Sequence, residues 1–594
     1  MALPRLKSPA PAPARFPALP ALLALLALLA FSAPPARAGN AVADAALEHV
    51  FNLQGVTATQ PLRADGAGYD WDWRGPRDDP EWAWFFNRHG WFPALLKAYQ
   101  ETGDARYRDA LLDTLDDWIR THPAPSRVSF SPAWRPLEAA RRLMHSWLPL
   151  AEDLSALDGF TPERAARFRA SLVDHGEHLM ARHAFGGNHL VTEMLALTRL
   201  ALVMPDLPGA DRWLAYALDQ LDRAYAEQVY PDGAHAELST HYQRVIALNY
   251  QELLDLLRGQ GRSDLAEQWA PRVERLWRYV AAVMTPSGGN PLNNDSDREH
   301  YRHLLSLHAP DLLEEPRTTT HFPWAGQTVF RGGPNQAHWA FFEAGPRGTD
   351  HDHADHLQLN LSVGDASFLV DNGRYTYQPG PWREFFAGPR GHNVVLLDGR
   401  GADARPRRVS TAPLPECFRR EGGFEIAWGN AVFSTAANAR AGDWRRIVIH
   451  APGAGWVVID RVVAFGAREL TTQWHWAPGA APAIKEEHLV VRNGDATLIL
   501  GAPADGTWRF WRGAEGAQPR GWFSPRFNIR EPAPQTDYAQ ALRGPVTNIW
   551  VFQVGSDGIS AAGLKAESLN GGRVRIRWSN TEITVDPAKP GETR

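Results

Sequence analysis

The densest group of residues able to do chemistry is His351-Asp352-His353-Ala354-Asp355-His356. Behind it Leu357, Leu359, Leu361 and Val363 alternate with Gln358, Asn360 and Ser362, a period of two that reads as a half-buried strand. Gly364-Asp365 is a turn signal, and Ser367 to Asp371 runs back as the second arm of a hairpin. His392-Asn393 then precedes a third apolar run, Val394 to Leu397. Sheet pairing can therefore bring two of these histidines and a carboxylate together. Two imidazoles and a carboxylate suit one structural divalent metal, zinc first, with calcium left open. The alternative is a solvated polar approach to a strand. A strict two-residue loop would set Asp371 opposite Gln358, on the polar side, and a bulge would change that pairing.

Three stretches in the first half put polar residues where helices begin or end, and loops there can carry function. Glu81 to Phe86 is acidic and aromatic and runs into Asn87-Arg88-His89. Gly186-Gly187-Asn188-His189 stands just before a long apolar helix pattern, so Asn188 is either a helix cap or a functional amide. Asp232 to Arg244 includes His235, Glu237, Ser239, His241, Tyr242 and Arg244.

The elements that must position these residues fall into two kinds. From Ala41 to about Thr318 the apolar spacing is helical. Phe92, Leu95, Leu96 and Tyr99 share one face, as do Leu190, Met194, Leu197 and Ala201. Thr161-Pro162 is a helix cap followed by proline. Short Gly, Pro and Asp turns join these helices, which implies a helical array with no fixed short repeat. After Pro316-Arg317 short β-branched and aromatic runs alternate with turns, for example Arg446–His450 and Trp456–Asp460. They read as an antiparallel β-sandwich. The expected architecture is an α+β multidomain chain, with a helical domain over 39–322 and a sandwich over 323–594. A cleft between them is the natural ligand site.

Length and composition fit two large domains: 594 residues, 44% hydrophobic and 22% charged. Cys417 is the one cysteine, which excludes an intramolecular disulfide and a cysteine-based metal site. Arg5, Lys7 and Arg15 precede an apolar run from Ala18 to Phe31, and Ala36-Arg37-Ala38 resembles a cleavage site. Residues 1–38 therefore read as a secretory signal peptide, which implies a periplasmic or secreted product. No later run is long enough for a membrane span. Removing the leader takes four positive charges and moves the net charge from -5 to -9. Nothing points to nucleic acid or to a membrane as partner, and oligomeric state is not legible.

No G-x-S-x-G elbow, P-loop or dinucleotide fingerprint is present, and no organic cofactor is implied. The remaining set is Asn, His, Tyr and Arg in one domain and His and Asp in the other. It suits proton abstraction beside a carboxylate, in which an amide, histidine or cation neutralises the carboxylate and a base and an acid complete a β-elimination. A glycoside hydrolase would need two carboxylates, for which Glu193 and Glu237 are available. A glycan-binding protein without catalysis is the third reading, since some of the 24 tryptophans could stack on sugars.

On these residues the chain resembles the heparinase II/III superfamily of polysaccharide lyases, most closely its heparinase III (heparan-sulfate lyase) branch. The resemblance rests on Glu81 to His89, Gly187-Asn188-His189, Ser239 to Tyr242, His351 to Asp355 and Leu369 to Gly373. Trp456–Arg461 and Trp474–Gly479 look like the family's later strands. It implies an incomplete α/α toroid followed by an antiparallel β-sandwich, and cleavage of an acidic, uronate-containing glycan. A heparan-sulfate-like polymer is favoured, with alginate or an exopolysaccharide as alternatives. It further implies that Asn188, with His189, neutralises the carboxylate and that Tyr242 and His351 act as acid and base. Asn87, Arg88, His89, His241 and Arg244 would bind substrate, and His353, Asp371 and His392 would hold the metal.

Overall fold

The computed structural model describes residues 40–126, 131–402, 409–415, 417–556, 559–560 and 563–592. The leader expected over residues 1–38 lies outside them. Among the described residues no helix is long and apolar enough to cross a membrane.

Up to Glu314 the chain is mainly helical. Consecutive helices pack as hairpins: Phe92–Thr102 with Ala105–Thr121, Gly187–Val203 with Ala210–Gln228, and Thr240–Gly259 with Ser263–Val283. The punctuation is local. Gly103 takes a left-handed conformation (φ 70°) and ends the first helix, and the Asp104 side chain caps the second. Thr161 caps Pro162–Arg182, with proline at the first helical position. Leu95, Leu96, Leu111, Leu115 and Trp118 bury the expected stripes in one core. Gly187–Val203 is buried on almost every side from Asn188 to Ala201, so this helix is central and its first turn faces other protein. One departure from the helical expectation lies near the start. Val50–Leu53 and Val56–Thr59 pair as an antiparallel hairpin through Gln54-Gly55, both at positive φ.

From Thr320 onward the chain is mainly strands. A five-stranded antiparallel sheet (Thr320–Phe322, Gln327–Gly332, His338–Glu343, Leu359–Val363, Ala366–Leu369) stands between the helices and the rest. Its alternation joins the domains. In His338–Glu343, Trp339 and Phe341 enter the helical core, while Ala340 and Phe342 enter the sandwich core. A nine-stranded sheet built around Arg440–Ala451 and Gly455–Ala464 forms the middle of the sandwich. It is covered on both faces. Val448 and Val458 belong to one core, and Ile447, Ile449, Val457 and Ile459 to the other. That is why these strands read as unbroken apolar runs.

Inside the sandwich the fully buried Arg446–Asp460 pair, at 2.8 Å, acts on the site segments. Arg446 donates onward to the carbonyls of Leu357, at the end of the histidine-rich stretch, and Asn393, directly after His392.

Candidate active site

Two segments meet at the junction of the domains. One is the start of the helix Thr240–Gly259, which the Ser239 side chain caps. The other is the loop before Leu359–Val363. The Tyr242 ring lies face to face with the His351 imidazole, 3.7 Å between centroids and 13° between planes. His351 takes a left-handed backbone (φ 56°), a strained geometry for a non-glycine residue.

Five residues outside the sequence-derived set surround the contact. The Tyr377 hydroxyl is 3.0 Å from that of Tyr242 and 3.3 Å from His351 Nδ1. Arg374 donates to Tyr377 at 2.8 Å and pairs with Asp297 at 2.6 Å. Asp295, 1% exposed, lies 3.3 Å from His351 Nδ1 and 2.8 Å from His353 Nε2, and accepts from Arg383. Burial alone would push the Asp295 carboxyl up. The His351 and His353 contacts and the Arg383 charge outweigh it and hold the group well below the usual carboxylate range. Burial pushes the Tyr242 hydroxyl well above its ordinary value, and Tyr377 adds to this.

Asn188 is buried in the first turn of its helix. Its backbone N–H and Nδ2 both donate to Glu237 Oε1 at 3.0 Å. His189 next to it is half-buried and pushed down to about 4, first by burial and then by the Arg135 charge. Arg88 and Arg135 both grip the buried Glu138, and Arg244 and His241 share Glu299 at 3.1 and 2.8 Å. Burial pushes Arg141 down to about 10, and the charges of Arg88, Glu138, Arg244 and Glu252 act on it as well. Arg199 holds Glu252 at 2.6 Å.

Two of the residues expected to bind substrate sit in the helical core. Asn87 and His89 are 0% exposed. Asn87 donates to the carbonyls of Trp71 and Ala83 and accepts from Trp118. His89 accepts from Trp147 and is packed among Trp71, Trp91, Phe92 and Trp118. Both are packed into the helical core, where the Asn87 amide is engaged at both ends. Only Arg88, on the other side of that turn, reaches the polar cluster.

His353, Asp371 and His392 converge, with one ligand atom from each lying within 4.8 Å of the others. A bulge at Leu361/Ser362 shifts the hairpin by one residue, so Leu361 pairs with Leu369. This removes the register that set Asp371 against Gln358. All three residues are 0% exposed, and His353 Nδ1 and His392 Nε2 have no hydrogen-bond partner. Orphaned imidazole nitrogens beside a buried carboxylate fit a zinc-type donor set, with Asp295 steadying His353 from behind.

Asp295 and Tyr377 were missed for a physical reason. Asn290 to Asp297 reads as an ordinary polar loop, yet Asn293, Asn294, Asp295 and Ser296 are all buried. Its one signal was an unusual density of Asn, Asp and Ser.

The family model described as Heparinase II/III N-terminus matches residues 32–309, and the one described as Heparinase II/III-like, C-terminal matches residues 314–578. The chain belongs to the heparinase II/III family. A heparin-sulfate lyase of Bacteroides stercoris is 23% identical over 75% of this chain and 71% of its own length. A heparin-sulfate lyase of Bacteroides thetaiotaomicron is 26% identical over 57% of this chain and 54% of its own. The fold is that of a solved heparinase III, with a TM-score of 0.77 at 18% identity, covering 93% of this chain and 91% of that one.

Proposed function

We propose that this heparinase II/III family member is a polysaccharide lyase that cleaves a uronate-containing glycan by β-elimination, a heparan-sulfate-like polymer being the favoured substrate. The observation that carries the reading is the stack of Tyr242 on His351 with Tyr377 at its edge. It sets a phenol and an imidazole from opposite domains side by side, which is what paired proton transfer at adjacent sugar carbons needs.

In the proposed reaction Asn188 and His189 neutralise the uronate carboxylate, which makes the C5 proton removable. Tyr242 and His351 serve as base and acid. The C5–H pair becomes the C4=C5 double bond, the C4–O bond breaks, and the departing oxygen takes a proton. Tyr377, held by Arg374, steadies the Tyr242 hydroxyl. A divalent ion at His353, Asp371 and His392 would tie together the three segments beneath His351.

Acidic substrate is supported by Arg88, Arg135, Arg199 and Arg244, half-buried and held by Glu138, Glu252 and Glu299. Burial pushes Glu81 up. The relatives' names favour the heparan-sulfate class over alginate. The hydrolase alternative is weakened because Glu193 and Glu237 are each 1% exposed and already accept from Ala184 N–H and from Asn188. A secreted or periplasmic setting suits a polymer substrate.

The test is Tyr242→Phe, which keeps the stacked ring and removes the hydroxyl. With heparan sulfate, heparin, alginate, hyaluronan and chondroitin in turn, the wild type should produce the ultraviolet absorbance of an unsaturated uronate on one of them. The variant should lose about 10²–10⁴-fold in kcat with an unchanged Tm. Chain shortening without that absorbance would sink the lyase reading.

A further inference from the structure

Glu237 has no role in the reaction above, yet it is held between both halves of the site. Its Oε1 accepts from the Asn188 backbone N–H and from Asn188 Nδ2, each at 3.0 Å, and Oε2 is 3.2 Å from Nδ2. The neighbouring backbone is shaped around it. Gly187 has φ +67°, and a Cβ there would come within 3.0 Å of Glu237 Oε1. A Cβ on Gly348 would stand 2.4 Å from the Glu237 carbonyl oxygen, and Thr349 N–H donates to Ala236 O at 3.1 Å. Glu237 therefore bears on Asn188 from one side and on the loop that carries His351 from the other.

An asparagine amide has two ends of similar shape and opposite polarity. Only the NH₂ end attracts a substrate carboxylate; the carbonyl end repels it. A carboxylate cannot donate, so it accepts Nδ2 and rejects Oδ1. Nδ2 carries two hydrogens, and the one not given to Glu237 remains for a ligand.

We propose that Glu237 is a positioning residue which locks the Asn188 amide with Nδ2 available to the uronate carboxylate and excludes the flipped amide. Asn188 is thus a directional anion contact, and its direction is set by Glu237. The inference rests on the lyase reading and deepens it.

Glu237→Gln is the discriminating variant, because a glutamine matches the shape but can donate as well as accept and so tolerates either amide orientation. Wild type, Glu237→Gln, Asn188→Ala and the double variant are compared on the glycan that the wild type cleaves. Glu237→Gln should lower kcat on the order of 10- to 100-fold, the scale of a misaligned group, with a smaller change in KM. Its melting temperature should stay close to wild type. Added to Asn188→Ala, it should cost nothing further, because the residue it acts through is gone.

Wild-type kcat in Glu237→Gln would overturn the proposal. So would a loss that adds in full to that of Asn188→Ala, the sign of a separate structural role. If Glu237→Gln does not fold, the same cycle is run with Glu237→Asp, whose shorter carboxylate loosens the same grip, and is read by the same rule. A wild type that yields no unsaturated product on any of the glycans fails the lyase reading itself, before any variant is compared.

Discussion

Side chains of one type do opposite work in this site, and burial separates them. His351 is stacked on Tyr242 at the cleft, whereas His89 is enclosed by four tryptophans and Phe92. In sequence, Asn87-Arg88-His89 and Gly187-Asn188-His189 look alike, since both are polar runs at a helix boundary. Residue type alone does not say which way a helix end turns, and the first motif turns inward at its two outer positions. Asn87→Ala should therefore cost stability rather than binding. It strands the Trp118 Nε1 donor in the core, a penalty of about 1–3 kcal/mol. Denaturant unfolding should show that loss while KM for the glycan stays at the wild-type value. A raised KM with full stability would return Asn87 to the substrate contacts.

At the scale of elements, the hairpin Leu359–Val363/Ala366–Leu369 was legible from its period of two and from Gly364. Its register was not, because the bulge that moves Asp371 depends on what packs against the strand, and no local residue announces it. The partnership with Asp295 was equally hidden, since it joins segments far apart in sequence. Two expectations follow for the convergence of these elements. The purified protein should carry about one divalent ion per chain, zinc by the donor set. Chelation should lower its Tm, and His392→Ala should abolish both the metal content and the response to chelator. A metal-free protein whose melting ignores both treatments would mean that the His353–Asp371–His392 cluster is a purely polar core. The second expectation concerns Arg446, which ties Asp460 to the carbonyls of Leu357 and Asn393. Arg446→Met leaves Asp460 charged in the core with only the Trp444 and Trp550 indole donors and should cost about 3–5 kcal/mol by denaturant unfolding. A loss within about 0.5 kcal/mol, the range of ordinary surface substitutions, would show that the pair does not anchor these segments.

At the scale of the whole molecule, the helix-then-sandwich order was readable because apolar periods of 3.6 and 2 occupy separate halves. The weld between the halves was not. It rests on two paired strands, Gln327–Gly332 and His338–Glu343, each feeding two cores, and a strand buried on both faces carries no label for which neighbour lies on which side. Burial at this scale also sets the response to acid. His178, His189, His321 and His338, drawn from both domains and outside the metal cluster, are each pushed down to about 4 by burial. Unfolding returns them toward their ordinary value near 6.5, so between about pH 6.5 and 4 the unfolded chain binds more protons than the folded one. Their contribution is complete above that window and is lost as pH falls through it. Glu193, raised to about 7 by burial, works the other way, with stability present below its ordinary value and lost as pH rises through 7. Burial raises Glu81, Asp232 and Glu252 in the same direction as Glu193, while His145 and His475, pushed down to about 3, join the four histidines and leave the histidines dominant. Melting temperature measured at constant ionic strength should fall steadily from pH 6.5 to 4.5, and the fall should persist after chelation. A flat profile across that window would mean that these histidines are hydrated in the folded protein and that the two domains are packed less tightly than the structure has them.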